Sequence, residues 1–230
     1  GESGAILATL DGGINWKDLN PYILDQVPAA VFPYPRTCHF RSVYFLDRAN
    51  GWVAGEMTLL GVEPEDMFPI PTQFGIILHT RDGGLSWECQ YPCKVWTDIS
   101  SEVRPFVKEI NDIFFLDARQ GWGVGDGFFY LATKDGGNTW EEMPIGLWAI
   151  PEIRQNLTAT RWISPQLGWV SGYQYDMFYP ERRNGFIAHT EDGGKTWQMD
   201  PFYPVPFATI PPLTSLEIKG PRANTDSLLP

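Results

Sequence analysis

The feature that most constrains the fold of this chain is an eight-residue pattern that occurs four times. Each copy has Thr at position one, Asp-Gly-Gly at positions three to five, Asn, Ser or Thr at position seven, and Trp at position eight. The four aspartates lie 71, 53 and 57 residues apart. Self-similarity of this kind is typical of repeat proteins, in which each repeat is one supersecondary unit. The copies are residues 9–16, 80–87, 133–140 and 190–197.

A second pattern precedes the last three copies of the first one. A largely apolar run is followed, after a polar turn, by Gly-Trp, two further residues and Gly. Seven of the ten tryptophans occupy fixed positions in the two patterns. Because a Trp side chain buries so much surface, a repeated Trp indicates a repeated packing position. The copies span 43–55, 113–125 and 161–172.

Each unit reads as four short strands, A to D. In the first complete unit, strand A is Ser42–Leu46, strand B is Gly51–Gly55, strand C is Gly75–Thr80, and strand D begins at Trp87. Short strands separated by Gly and Asp turns predict an antiparallel meander. A four-stranded meander repeated around an axis is a β-propeller blade. The sequence therefore predicts an all-β propeller.

The Asp-Gly-Gly turn needs its residue types for folding. The Asp carboxylate accepts backbone N–H bonds from the residues just ahead of it, and the two glycines supply positive φ. The Trp then buries a large ring between neighbouring sheets. We therefore assign a structural role to the Asp and the Trp of each of the four turns. These residues are Asp11, Trp16, Asp82, Trp87, Asp135, Trp140, Asp192 and Trp197.

About three and a half blades are expected in the chain. Its first residues align with the end of strand B, which predicts a fragment of a larger ring of six or seven blades. The alternative is a four-bladed ring in which Thr214–Lys219 supplies a strand to the first blade. The expected domains are a half-blade 1–20, blades 40–92, 110–145 and 158–200, and a Pro-rich C-terminal extension 201–230.

Loop lengths predict which face of the propeller is elaborated. In a meander blade the B–C and D–A connections lie on one face, and the A–B and C–D turns lie on the other. Asp82 follows Trp52 by 30 positions and Asp192 follows Trp169 by 23, whereas Asp135 follows Trp122 by 13. The long B–C and D–A connections therefore share one face, and long loops on a rigid scaffold usually carry function.

The two B–C insertions have a composition that favours protein binding. Both contain Asp-Met-Phe followed closely by Pro. Aromatic, Met and Arg side chains are preferred anchors in interfaces. The alternative is that the insertions fold back and cover the open end of the blades. The expected partner-binding residues are Asp66, Met67, Phe68, Tyr175, Met177, Phe178, Tyr179, Arg182 and Arg183.

Charge and hydropathy exclude several function classes. The net charge is −11, whereas nucleic-acid binding needs a clustered basic face. No run of 18 apolar residues is present, so we expect no membrane span.

Cysteine and histidine offer few candidates for chemistry. Cys89 and Cys93 are a candidate disulfide, although Cys38 is an alternative partner for either. His79 and His189 occupy one repeat position at which the other units have Ala, which favours a structural role. Cys38 and His39 form a candidate metal pair without a further obvious ligand. We therefore expect no metal and no cofactor.

Catalytic constellations are hard to assemble from this sequence. The carboxylates of the four Asp-Gly-Gly turns belong to separate blades, so they cannot form the pair about 5–10 Å apart that glycoside hydrolysis requires. A sialidase-like site would need converging arginines and a Tyr nucleophile, for which Tyr179, Arg182 and Arg183 are the candidates. Acidic residues on the elaborated face that could pair are Glu63, Glu65, Asp66, Asp176 and Glu181.

The four Asp-Gly-Gly turns resemble Asp-box repeats, also called bacterial neuraminidase repeats. Together with the Gly-Trp-x-x-Gly element, residues 1–200 resemble the propellers of photosystem II stability and assembly factors. Asp boxes also occur in sialidases, xyloglucanases and sortilin-type receptors. This chain departs from the assembly factors in its long aromatic insertions, its blade count and the lack of a concentrated arginine patch.

The resemblance implies a non-catalytic scaffold that binds another protein. The partner would be a subunit of a membrane-associated complex, such as a photosynthetic one, which the chain would serve as an assembly factor or as a permanent accessory subunit. The resemblance also implies a periplasmic, thylakoid-lumenal or extracellular location. The alternative function is a glycan-binding or glycoside-hydrolase-type propeller.

Overall fold

The computed structural model describes residues 4–19, 36–59, 73–92, 109–145, 153–200 and 213–217. Within these ranges the chain is all-β, with three four-stranded antiparallel sheets and one two-stranded sheet. Each large sheet is a meander in which strands pair in chain order. The predicted architecture of four-stranded propeller blades is thereby confirmed.

The strands fall into a half-blade and three complete blades. The half-blade contains β1 (Leu7–Ala8) and β2 (Lys17–Asp18). The first blade contains β3 (Arg36–Phe45), β4 (Gly51–Leu59), β5 (Gln73–Thr80) and β6 (Glu88–Tyr91). The second contains β7 (Ile110–Phe115), β8 (Gly121–Gly125), β9 (Phe129–Thr133) and β10 (Glu141–Glu142). The third contains β11 (Ile153–Trp162), β12 (Gly168–Asp176), β13 (Tyr179–Thr190) and β14 (Gln198–Met199).

The Gly-Trp-x-x-Gly element is explained by two close approaches. Strand A of each blade has a β-bulge at the same place, next to Phe40, Ile110 and Leu157. A Cβ on the last glycine of the element would lie about 2 Å from the carbonyl oxygen that precedes the bulge. A Cβ on the first glycine would lie 2.3–2.5 Å from the aromatic ring that ends strand A. Only glycine fits at either position.

The tryptophans of the two sequence patterns form the core between blades. Trp52 stacks on Phe115 of the second blade with ring centroids 3.6 Å apart. Trp122 stacks in the same way on Trp162 of the third blade, at 4.1 Å. Phe115 and Trp162 in turn meet the Asp-box tryptophans of their own blades edge to face, at 5.9 and 6.0 Å. The repeat therefore encodes one aromatic interface that is used twice.

Hydrogen bonds define the two faces of the assembly. In each blade, the first glycine of the Asp box donates its N–H to a carbonyl of the A–B turn, at 2.8–3.0 Å. These turns form what we call the Asp-box face. On the opposite side, the B–C turn at Gly127 donates its N–H to Asn156, near the start of β11. We call this side, with its B–C and D–A connections, the loop face.

Candidate protein-binding face

The third blade extends beyond the second blade on the loop face. Its B–C insertion continues β12 and β13 as a hairpin whose turn is Met177–Phe178. The inner strand β11 pairs with β12 as far as Asp176, so the extension is three-stranded up to its turn. The segment that the sequence presents as a long loop is a β-structure, because the backbone groups of Tyr173 and Tyr175 find partners on both sides. We call residues 173–185 the third-blade hairpin.

Aromatic and cationic side chains fix the shape of the third-blade hairpin. Tyr173 and Tyr175 are two residues apart on β12, so their side chains lie on the same face of the strand. Their rings stack with centroids 6.2 Å apart. The Arg183 guanidinium lies over both rings, at 4.9 Å from Tyr173 and 6.0 Å from Tyr175. Asn156 donates its amide N–H to the Tyr173 hydroxyl at 2.9 Å. Cross-strand aromatic pairs and cation–π contacts of this kind stabilise a hairpin.

The tip of the hairpin presents apolar side chains to solvent. Met177 is 44% exposed, Phe178 68% and Tyr179 50%. The Asp176 carboxylate accepts the Phe178 N–H at 2.8 Å, which closes the turn. Three adjacent exposed apolar side chains on a structured element are a feature of interaction sites.

Only part of the predicted partner-binding set can be placed. Asp66, Met67 and Phe68 of the first insertion lie outside the described residues, as does the side chain of Arg182. Tyr175, Met177, Phe178, Tyr179 and Arg183 all lie on the third-blade hairpin. The Tyr-Arg contacts hold the middle of the hairpin, while Met177, Phe178 and Tyr179 are exposed at its end.

A charged cluster joins the first and second blades on the loop side of their inner strands. Arg41 donates to Glu109 at 2.6 Å and lies 3.6 Å from Glu56, which also accepts a bond from Gln73 at 2.7 Å. Burial, followed by the neighbouring Glu56 carboxyl, raises the pKa of Glu109 to about 7. The sequence does not reveal this cluster, because Arg41 and Glu56 lie on two strands of the first blade and Glu109 directly precedes β7 of the second. The unpaired position of Arg41 in the β-bulge brings them together.

The Asp boxes use their carboxylates inside the turn. In all four, one Asp oxygen accepts the hydroxyl of the Thr at position one and the N–H of the residue at position seven, at 2.8–2.9 Å. The other oxygen accepts the position-seven side chain. Hydrogen bonds from Asn15, Ser86 and Thr196 lower the pKa of Asp11, Asp82 and Asp192 to about 2. These acids lie on the face opposite the third-blade hairpin.

The Asp-box tryptophans sit against their own turns. The indole N–H groups of Trp16, Trp87 and Trp197 donate to the second glycine carbonyl of the same box, at 3.0–3.2 Å. Trp87, Trp140 and Trp197 are buried, whereas Trp16 of the half-blade is 59% exposed. The ring therefore closes each turn onto the core of a complete blade.

The remaining candidates have structural surroundings. His79 stacks on Trp52 at 4.5 Å, and His189 contacts Asp200 at 2.6 Å. The Cys38 side chain is fully buried and Cys89 is in a disulfide bond, while Cys93 lies outside the described residues. Among the residues described here, no three His, Cys, Asp or Glu side chains gather in a metal-binding arrangement. The same part of the chain has no helix with the length and hydrophobicity for crossing a bilayer.

Four-stranded meander blades closed by Asp-Gly-Gly turns define the class of Asp-box β-propellers. The sequence model of the family described as photosynthesis system II assembly factor YCF48 matches residues 90–204, which is half of the chain. The chain belongs to this family.

One curated relative and two solved structures are similar to this chain. The chain is 26% identical over 127 residues to the chloroplastic photosystem II stability/assembly factor HCF136 of Oryza sativa subsp. japonica, over 55% of this chain and 29% of the relative. The solved structure of YCF48 from Cyanidioschyzon merolae has a TM-score of 0.50 at 19% identity, over 87% of this chain and 51% of that one. A structure of YCF48 bound to D1 peptide has a TM-score of 0.45 at 21% identity, over 72% and 42%. The chain thus spans less than a third of the curated relative.

Proposed function

We propose that this chain is a non-catalytic binding scaffold that assists the assembly or stability of a photosystem II-type membrane complex. The observation that carries the proposal is the exposed cluster of Met177, Phe178 and Tyr179 at the end of a structured hairpin. Membership of the YCF48 family supports the class of partner. The first insertion, with Asp66, Met67 and Phe68, contributes to the same binding face under this proposal, as does Arg182.

The build of the third-blade hairpin suits a docking element. Its strands are paired and its middle is held by the Arg183 contacts with Tyr173 and Tyr175. Little conformational freedom remains to be lost when the tip binds, and preorganisation of this kind favours affinity. Apolar and aromatic tip residues would insert into a pocket of the partner protein, as interface anchors do.

We assign the protein to the lumenal side of the thylakoid, or to the equivalent periplasmic or extracellular side of other membranes. The family resemblance supports the lumenal side. The disulfide at Cys89 supports an oxidising compartment, because disulfides persist there and are rare in reducing ones.

The non-catalytic assignment is supported by where the acidic side chains are engaged. The Asp-box carboxylates are saturated by their own turns, and Asp112 accepts bonds from Ser42, Thr160 and Arg161. Arg183, a candidate for a sialidase-like arginine, lies over two tyrosine rings instead of facing a free pocket.

Binding of D1 peptide, the ligand named for one solved YCF48, tests the proposal. Saturable binding by the purified chain is expected, and Phe178→Ser should weaken it about tenfold, which corresponds to about 1.4 kcal/mol. The matched control is Ile163→Ser. Ile163 is an apolar residue of the same blade, 53% exposed on the Asp-box face, and its replacement should leave affinity unchanged. Absence of binding, equal loss in both variants, or turnover of a glycoside by the purified chain would each contradict the proposal.

A further inference from the structure

We propose that residues 213–217 occupy the place of the inner strand of a further blade, packed against the third blade. The segment belongs to none of the described sheets, and its equivalence to an inner strand follows from contacts that repeat from blade to blade.

The residue in the strand A bulge of each blade bonds to the blade that follows. Arg41 reaches Glu109 of the second blade. Asn111, the bulge residue of the second blade, donates to the carbonyl of Leu157, which directly precedes the bulge of the third blade, at 2.9 Å. The hydroxyl of Thr158, the bulge residue of the third blade, contacts the carbonyl of Leu213 and also lies 3.1 Å from the carbonyl of Ser171 in its own blade. The Leu213 carbonyl therefore contacts the bulge residue of the third blade in the way that the Leu157 carbonyl contacts the bulge residue of the second.

The sequence around Leu213 has the same register. Leu157-Thr158-Ala159-Thr160 aligns with Leu213-Thr214-Ser215-Leu216, with a Thr at the bulge position in both. Leu213 and Leu216 are half-buried, while Thr214, Ser215 and Glu217 are exposed. The most buried positions of the segment are thus the apolar ones, and Leu213 matches the buried Phe40, Ile110 and Leu157 of the three complete blades.

One link of the repeated interface is missing at this contact. Ser42 accepts the N–H of Ile113 in the following blade at 3.3 Å, and Asp112 accepts the N–H of Thr160 at 3.0 Å. The third blade has Ala159 at the corresponding position, which has no side-chain acceptor. By the same register, the amide that would be bonded is that of Leu216. An acceptor placed at residue 159 should therefore stabilise the segment.

Amide hydrogen exchange of the full chain, read by mass spectrometry, tests the placement. Peptides covering 213–217 should exchange measurably more slowly than an unstructured peptide of the same sequence, because Leu213 and Leu216 are half-buried. Thr158→Val removes the bond to Leu213 and should accelerate their exchange several-fold. Ala159→Ser supplies the missing acceptor and should slow it.

The matched control is Ser42→Ala, which removes the equivalent acceptor between the first and second blades. It should accelerate exchange around Ile113 and leave 213–217 unchanged. Exchange of 213–217 at the unstructured rate in the native chain would overturn the proposal. So would identical exchange of this segment in the native chain and in both third-blade variants.

Discussion

At the scale of single residues, one position in strand D shows how each blade adjusts its contacts. Gln90 is buried, lies 3.3 Å from His79, accepts the Trp52 indole N–H at 3.2 Å, and donates to the Gly136 carbonyl of the next blade at 2.9 Å. The second blade has Met143 at this position and Ala132 in place of the His. The third blade again has a polar pair, His189 with Asp200. A His at this position of strand C therefore occurs in the blades that have a polar residue at the neighbouring position of strand D.

Replacing Gln90 by Met should destabilise the chain by about 2 kcal/mol. The change leaves the Gly136 carbonyl and the Trp52 indole without their buried partner, and an unsatisfied buried group costs about 1–3 kcal/mol. Urea unfolding measures the loss. Gln120→Met, which removes a bond to Asp117 in an exposed turn, should change stability by less than about 0.5 kcal/mol. Equal effects of the two variants would contradict the role given to Gln90.

Glu109 should make stability fall as the pH rises through neutrality. Burial beside Glu56 raises the pKa of Glu109 from 4.5 to about 7 despite Arg41. The folded chain therefore binds this proton more tightly than the unfolded chain does. The resulting stability is complete below about pH 4.5 and is lost as the pH passes 7.

Glu109→Gln removes this titration. Because Glu109 is partly exposed, solvent screening reduces the effect, and we expect the variant to gain about 1 kcal/mol over the native chain between pH 5 and pH 8. Thermal unfolding across this range measures the difference. A constant difference between the two proteins at every pH would show that the carboxyl does not titrate as stated.

At the scale of strands and turns, the bulge in strand A leaves no room for a side chain at the facing position of strand B. Gly125 and Gly123 are neighbours on the same face of β8. A Cβ on Gly125 would lie 1.7 Å from the Glu109 carbonyl oxygen, whereas a Cβ on Gly123 would make ordinary contacts at 3.7 Å and beyond. Gly125→Ala should therefore destabilise the chain by about 2–3 kcal/mol.

Gly123→Ala is the control, and its stability should stay within about 1 kcal/mol of the native value. Denaturant unfolding of the two variants under the same conditions measures the contrast. Similar stabilities for both would mean that the bulge relaxes to accept a side chain.

The sequence predicted the blades because their signals are local. The Asp box closes within eight residues, and each Gly-Trp element marks the start of a strand B, as at Trp52, Trp122 and Trp169. The third-blade hairpin was not predicted, because Pro180 and its polar neighbours are typical of a loop. Its strand pairing depends on β11, which begins far away in sequence. The Arg41–Glu109 link was missed for the same reason, since only the bulge shows where Arg41 points.

At the scale of the whole molecule, stability depends on contacts between successive blades. The Trp52–Phe115 and Trp122–Trp162 stacks are the centres of two equivalent cores. The second blade contributes its strand B to the core shared with the third blade and its strand A to the core shared with the first. Because each complete blade packs mainly on its neighbours, the stability of such an array is a sum of blade and interface contributions.

The Asp boxes should set the acid limit of the whole molecule. The pKa of Asp82 and of Asp192 is lowered to about 2, so the stability that these carboxylates contribute is present above about pH 3.8 and is lost as the pH falls toward 2. Asp192→Asn should have a lower melting temperature at pH 6 and a weaker dependence on pH between 4 and 2. A native chain whose melting temperature is constant over this acid range would contradict the assignment.

Each Asp box satisfies its Asp and Thr side chains within its own turn and, in the complete blades, bonds to the A–B turn of the same blade. A copied blade would therefore bring most of that side of the propeller with it, and would need a match in the aromatic layer and in the few polar contacts between neighbouring sheets. Gene duplication could lengthen or shorten such a protein while selection reshapes the opposite rim one hairpin at a time.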